Sequence, residues 1–182
     1  LVEGLGTTLL ITLFSALIGI ALGFLVAIIR STYDKTGKLK FWNAVCNLYL
    51  TIIRGTPAMV QLLIMYYVIF GSSTISKAVV AILSFGINSG AYVAEIVRGG
   101  IESVDKGQME AARSLGLPYK TAMAKVILPQ AIRLMIPSII NQFIITLKDT
   151  SILSIIGINE LTQSGKIIIA RNLESFQMWL IV

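Results

Sequence analysis

The sequence predicts an all-α membrane protein, a set of membrane-crossing helices joined by one long polar connection. Three observations carry that expectation. Of 182 residues, 55% are hydrophobic and only 13% charged, against roughly 25% charged in an average soluble domain. The apolar residues fall in long runs. The basic residues gather in two of the connections between those runs. The same composition removes several functions. Histidine is absent, which excludes a Ser-His-Asp triad, an HExxH zinc site and a histidine-held haem. The lone cysteine, Cys46, excludes an internal disulfide framework and a multi-cysteine zinc site.

A spanning helix needs about 20 mostly apolar residues. Gly4–Ile29 is uncharged for 26 residues, which places a first span at about 5–29. It is too long for a signal peptide and no basic residue precedes it. Gly55–Ser76 is uncharged for 22 residues and holds a second span at about 56–70. Ala78–Ala94 is uncharged for 17 residues; Ile96 and Val97 extend it to a third span at 78–97. Leu134–Ile158 is apolar apart from Lys148 and Asp149 and holds a fourth span at 134–156. A fifth begins at about 176. Residues 1–182 form one transmembrane domain, expected to be an excerpt of a longer protein because the chain ends inside an apolar run.

Charge sets the orientation. Residues 30–40 carry four basic residues and one acid, 98–133 six and three, and 71–77 a single lysine. Positive loops stay in the cytoplasm, so 30–40 and 98–133 are expected inside and the N-terminal end of the first span outside. Topology thus accounts for the net charge of +6 without nucleic acid.

Within the spans, Ser15, Gly19 and Gly23 recur every four residues, a small-residue face for close helix packing. Phe41 and Trp42 read as interfacial anchors beside a basic loop. An interfacial or kinked segment is expected over 42–54, then the second span, with Pro57 in its first turn and Thr56 as its cap. Asn88, Ser89, Gly90 and Tyr92 should face other helices or a cavity, since lipid offers no hydrogen-bond partner. Glu95 and Arg98 are three apart and suited to pair on one helix face. Ser138, Gln142, Thr146 and Asp149 form a polar stripe at spacings of four, four and three, with Asn141 and Lys148 beside it. That stripe reads as a hydrophilic pathway or as interhelical hydrogen bonding; Lys148 and Asp149 are expected in an interior polar network.

The connection 98–133 is too long for a turn. Gly107–Leu115 reads as a short helix, with Gly116 as its C′ glycine. Pro118 starts a second helix, expected to stop where Pro129 interrupts it. Two short helices at a Gly-x-Pro corner make an angular knob, with Ala111, Ala112, Leu115, Leu117, Met123 and Val126 as its apolar side. A DNA-binding helix-turn-helix fits badly between membrane spans with mixed charges. A docking element for a cytoplasmic partner fits better.

These residues also carry a resemblance. Glu110-Ala111-Ala112, Gly116 and Leu128-Pro129 follow the EAA pattern of binding-protein-dependent ABC importer permeases, with Val126 where the family has isoleucine. Longer strings agree: Arg54-Gly55-Thr56-Pro57 with Gln61; Ala91-Tyr92-Val93-Ala94-Glu95-Ile96-Val97-Arg98-Gly99-Gly100; Gly107-Gln108-Met109 leading into Glu110; Leu128-Pro129-Gln130-Ala131; and Leu147-Lys148-Asp149-Thr150-Ser151. Together they resemble the polar amino acid uptake branch over nearly the whole chain.

The resemblance implies a five-helix type I ABC importer transmembrane domain, its fifth helix truncated here, in the cell membrane. It implies a second permease subunit, an ABC ATPase dimer that binds ATP and Mg, and a substrate-binding protein, separate or fused. The chain itself has no cofactor, metal or catalytic residue in this reading. Its nearest approach to a Walker A motif, Ser164-Gly165-Lys166-Ile167, lacks the first glycine and the final Ser/Thr. Coupling to the ATPase falls to Glu110, Ala111, Ala112, Gly116, Leu117 and Pro118. The substrate pathway falls to Thr56, Gln61, Asn88 and Tyr92, together with Asn141, Gln142, Thr146 and Asp149. The neutral amide of Gln142 favours a neutral or acidic polar amino acid such as glutamine over a cation. A channel or secondary transporter is the alternative; it wants an ion-binding acid at mid-membrane, for which Asp149 is the one candidate. A membrane enzyme lacks paired carboxylates or a nucleophile–base pair in any span.

Overall fold

The computed structural model describes residues 1–173 and 175–182. Among them, all regular structure is helical. Three helical stretches have the length and apolarity to cross a membrane: Val2–Thr36, Lys77–Glu102 and Tyr119–Ile156. A fourth crossing requires the bent pair Lys40–Gly55 and Ala58–Ile69 to act together.

Helix α1 (Val2–Thr36) packs against α4 (Lys77–Glu102), the most extensive helix pairing in the chain. Its buried face runs Thr8, Ile11, Thr12, Ser15, Gly19, Gly23 and Val26, the spacing of one helical stripe. The small residues matter physically. A Cβ on Gly19 would lie 2.8 Å from Ser89 Cβ, and one on Gly23 would lie 2.6 Å from Val93 Cβ and 2.9 Å from the Ala94 nitrogen. The α1 backbone lies there directly against the side-chain stems of Ser89 and Val93, an approach that a side chain on either glycine would block, and Ser15 Oγ adds a hydrogen bond to the Ile82 carbonyl at 3.2 Å.

Helix α2 (Lys40–Gly55) buries Asn43, Cys46 and Leu50, the last two against Val26, Ala91 and Ala94. Phe41 and Trp42 stay exposed, as anchors would. The chain then turns through 110° at Thr56 and Pro57, both extended, because the proline ring disfavours helical backbone in the residue before it. α3 (Ala58–Leu63) follows and widens into a π turn over Ile64–Ile69. Together they cover twelve residues, or about 18 Å at 1.5 Å per residue. That is short of the roughly 30 Å hydrocarbon core; together with α2 the bent pair has the length and apolarity of a crossing.

α5 (Lys106–Ser114) and α6 (Tyr119–Ala122) form the knob. The expectation for Pro129 is corrected. α6 runs through a π turn (Met123–Ile127) into α7 (Leu128–Asp149) and a 3-10 turn (Thr150–Ile156) without a break. The π turn is the physical reason: the Leu128 N–H reaches Met123 five residues back, so the wider turn admits a proline in the next position without interrupting the helix. The result is one rod of 38 residues.

α8 (Leu161–Asn172) begins at a buried carboxylate. Glu160 is 1% exposed and accepts hydrogen bonds from the Thr162 and Gln163 nitrogens, each at 2.7 Å. This helix is absent from the sequence expectations. α9 (Ser175–Ile181) closes the chain.

The two basic connections lie at the same end of the bundle: Arg98 faces Asp34 at 3.8 Å, and the Lys35 ammonium donates to the Tyr119 hydroxyl. At the other end, Lys77 donates to the Ile156 carbonyl at 2.8 Å and Thr8 accepts from Leu161 at 3.1 Å. Apolar clusters fill both ends, around Ile11, Leu62, Phe85 and Leu153 at one and Val97, Val104, Ile127 and Ala131 at the other.

Gly23→Ile should therefore force α1 and α4 apart. The expected cost is about 1–3 kcal/mol, read as a lowered thermal midpoint of the detergent-purified protein. Gly6→Ile on the same helix, where nothing lies within 4 Å of an added Cβ, should leave that midpoint unchanged.

Candidate functional site

Two regions collect the candidate residues. The first is the bend between α2 and α3. A helix end inside a membrane protein leaves carbonyls without partners, and these must be satisfied internally. Thr56 and Gln61 do this. Thr56 Oγ1 donates to the Ile52 carbonyl at 2.8 Å. The Gln61 amide donates to the Ile53 carbonyl at 2.8 Å and to the Thr56 carbonyl and hydroxyl at 3.0 and 2.8 Å. Thr56 therefore closes the helix before it. The expectation that it caps the helix after it is corrected: Pro57 takes that N-cap position, with no side-chain hydrogen bond.

The free end of Gln61 then reaches α4, where its Oε1 accepts from the Asn88 amide at 3.0 Å. One turn further along α4 stands Tyr92, 37% exposed, with the Arg54 guanidinium 6.0 Å from its ring centre. Glu95 follows. Its expected pairing with Arg98 does not occur. Glu95 instead takes Arg30 of α1 at 3.0 Å and Arg54 of α2 at 3.6 Å, while Arg98 bonds Glu102 at 2.9 Å and faces Asp34. The reason is tertiary: neighbouring helices bring guanidinium groups to Glu95, and Arg98 points to the end of α1. Arg30 and Arg54 are thus partners that a reading along single helices missed, because an i,i+3 rule sees only one helix.

The α7 residues are not drawn into this cluster. Gln142 is 6% exposed and lines a cleft of about 240 Å³ with Ala16, Ile20, Ser89 and Val93, below the roughly 300–1,000 Å³ of ordinary ligand sites. Thr146 is buried on the same side, its hydroxyl donating to the Gln142 carbonyl at 3.0 Å. Asn141, with Ser138 and Lys148, faces outward instead. The expected interior network of Lys148 and Asp149 does not form within the chain: Lys148 is exposed, Asp149 is half-buried, and neither has an ion pair among the described residues.

The second region is the knob. Asp105 caps α5, accepting from the Gly107 nitrogen at 2.6 Å. At its far end Gly116 has φ 82°. Its N–H donates to the Arg113 carbonyl at 3.0 Å and that of Leu117 to the Ala112 carbonyl at 3.2 Å, the double bond pattern of a Schellman motif. Pro118 then caps α6. The expected apolar side is divided. Ala112 is buried and Met123 and Val126 pack inward, whereas Ala111, Glu110 and Pro118 are exposed and Leu115 is 83% exposed.

A helical membrane bundle with an exposed knob on its longest rod is the architecture of the transporter permease components with which this chain aligns. The chain belongs to the family of binding-protein-dependent transport system inner membrane components, whose model matches residues 19–182. It is similar to the glutamine transport system permease protein GlnP of Escherichia coli, 38% identical over 98% of this chain and 81% of that protein. It is also similar to the arginine transport system permease protein ArtQ of Bacillus subtilis, 37% identical over 88% of this chain and 72% of that protein. Among solved structures, an amino acid ABC transporter crystallised with histidines aligns with a TM-score of 0.88 at 39% identity, covering 99% of this chain and 82% of that one. The MetNI methionine transporter in an inward-facing form shares the fold, with a TM-score of 0.77 at 20% identity. The chain is accordingly a transport subunit with the type I importer fold, a membrane component and not itself an enzyme.

Gln61→Leu should strip two backbone carbonyls of their donor and leave the Asn88 amide unpaired. The expected loss is about 1–3 kcal/mol in stability of the detergent-purified protein, and Gln61→Glu, which keeps shape but not the donor, should lose a similar amount. An unchanged melting temperature in both would show that the bend is held by other contacts.

Proposed function

We propose that this chain is the permease half of an ATP-driven amino acid importer, forming the translocation pathway and coupling it to a separate ATPase pair through the knob. The observation that carries the coupling role is the combination of an exposed face, Glu110, Ala111, Leu115 and Pro118, with a corner locked by Gly116. A rigid knob continuous with a membrane rod passes on a rigid-body movement without deforming. Ala112, Gly116 and Leu117 hold its shape, and the exposed residues meet the partner. ATP and Mg belong to that partner.

In the same reading a second permease, identical or a paralogue, completes the bilayer-spanning assembly, and a binding protein, separate or fused, delivers substrate. The two basic connections lie at one end and face the cytoplasm under the positive-inside rule; the N-terminal end of α1 then lies outside, in the cell membrane. The pathway follows Thr56, Gln61, Asn88 and Tyr92 on one side and the α7 residues Asn141, Gln142, Thr146 and Asp149 on the other, with Asn141 turned to the surface a partner would meet. The substrate assigned is a neutral or acidic polar amino acid such as glutamine. It is supported by the neutral amide of Gln142, buried beside the cleft between α1, α4 and α7, where a buried cation would want an anionic partner.

The test is uptake of labelled amino acids into proteoliposomes holding the full-length protein, its ATPase and its binding protein. One polar amino acid should accumulate only with ATP at the ATPase face; equal uptake without ATP would overturn the reading. Gly116→Asp, which places a Cβ at φ 82° and a charge on the docking face, should insert normally and lose ATP-driven uptake. Normal uptake by that variant would remove the knob from coupling.

A further inference from the structure

Two strings stand out in the sequence that the function above leaves unused: Gly107-Gln108 at the start of the knob, and Leu128-Pro129-Gln130-Ala131 where the rod enters the bundle. The structure joins them through their glutamines. The Gln130 side-chain amide has two protons and two acceptors. It donates to the Val126 carbonyl at 2.9 Å and to Gln108 Oε1 at 3.2 Å. The first bond anchors Gln130 to the π turn of its own rod. The second crosses 22 residues of chain to α5.

The location gives this pair its meaning. α5 and the connection before it otherwise rest on the rod through apolar side chains, Met109 of α5 and Val104 ahead of it clustering with Met123, Ile127 and Ala131. Apolar contact is non-directional: it keeps two helices together but lets one slide or roll on the other. A hydrogen bond weakens steeply off its axis and so selects one register. The rod is also irregular here. The π turn at Met123–Ile127 is a form found where helices bend or function, and Pro129 supplies no N–H to tighten it. A knob joined to the rod through an irregular turn passes on a push most fully when a directed bond ties it to the regular helix beyond. Gln130 lies on the far side of Pro129 and holds both the turn and α5.

We propose that Gln130 is a positioning residue for coupling. Its amide, bonded at once to Val126 and Gln108, makes α5 and α7 move as one body, and so sets how much substrate is moved per ATP hydrolysed. The inference rests on the knob being the ATPase dock.

The test uses the full-length permease with its ATPase and binding protein in proteoliposomes, with uptake and ATP hydrolysis measured on the same sample. Gln130→Leu and Gln108→Leu should each lower the uptake-to-hydrolysis ratio about fivefold or more. Each should keep the ATPase bound on purification and leave the melting temperature unchanged. The double variant should be no worse than either single one, because both break the same link. Gln108→Glu combined with Gln130→Lys, which rebuilds a directed contact as an ion pair, should restore most of the ratio. A wild-type ratio in both single leucine variants would overturn the proposal. So would additive losses in the double variant, failed rescue, or a fall that tracks loss of bound ATPase. If Gln130→Leu fails to assemble, the exposed Gln108 carries the test alone. Failure of the underlying reading is a different result: wild-type protein that takes up its substrate equally with and without ATP.

Discussion

The approach of α1 to α4 is the contact on which the other elements depend. With Gly19 against Ser89 and Gly23 against Val93, the two helices come close enough for main chain to meet side-chain stems. Lipid tails are as apolar as leucine, so helices in a membrane are held by close packing and hydrogen bonds and not by escape from water. The Ser15–Ile82 bond belongs to the same seam. α2 lies across its lower half through Cys46 and Leu50, and Leu62 of α3 closes its upper half against Ile11 and Phe85. The Arg30–Glu95 pair ties the same two helices where the seam ends.

The bend at Thr56–Pro57 shows how such a bundle admits irregular backbone. Breaking a helix at membrane depth exposes carbonyls to a medium with no donors. Thr56 and Gln61 supply the donors from the chain itself, and Asn88 extends the network to α4. The polar residues there serve the backbone first: their donors are spent on its carbonyls before any other partner could take them.

The knob and the rod form the other mechanical unit. A Schellman corner at Gly116 holds α5 against α6, and the rod carries that arrangement through the bundle to Ile156 without an interruption. The knob leaves Leu115 exposed at its tip. In the proposed assembly, Leu115 is the apolar side chain at the tip of that projection that the ATPase would cover.

Much of this was legible in the residues alone. Charge-free runs placed α1, α4 and the body of α7, because a bilayer demands uninterrupted apolar length. The four-residue spacing of Ser15, Gly19 and Gly23 marked the packing face, and Gly116 marked the end of α5, because only glycine adopts that left-handed turn freely. Motif strings pointed to the family. What the sequence could not settle was pairing between helices. Glu95 chose Arg30 and Arg54 over its neighbour Arg98 because three helices converge on it. Thr56 turned back to Ile52 instead of forward, because the orphan carbonyls lay behind it. Pro129 sits inside a continuous rod because a π turn five residues long made room for it. Sequence patterns report each element's own geometry; partners for a charge, a carbonyl or an amide are decided only once packing fixes what stands opposite.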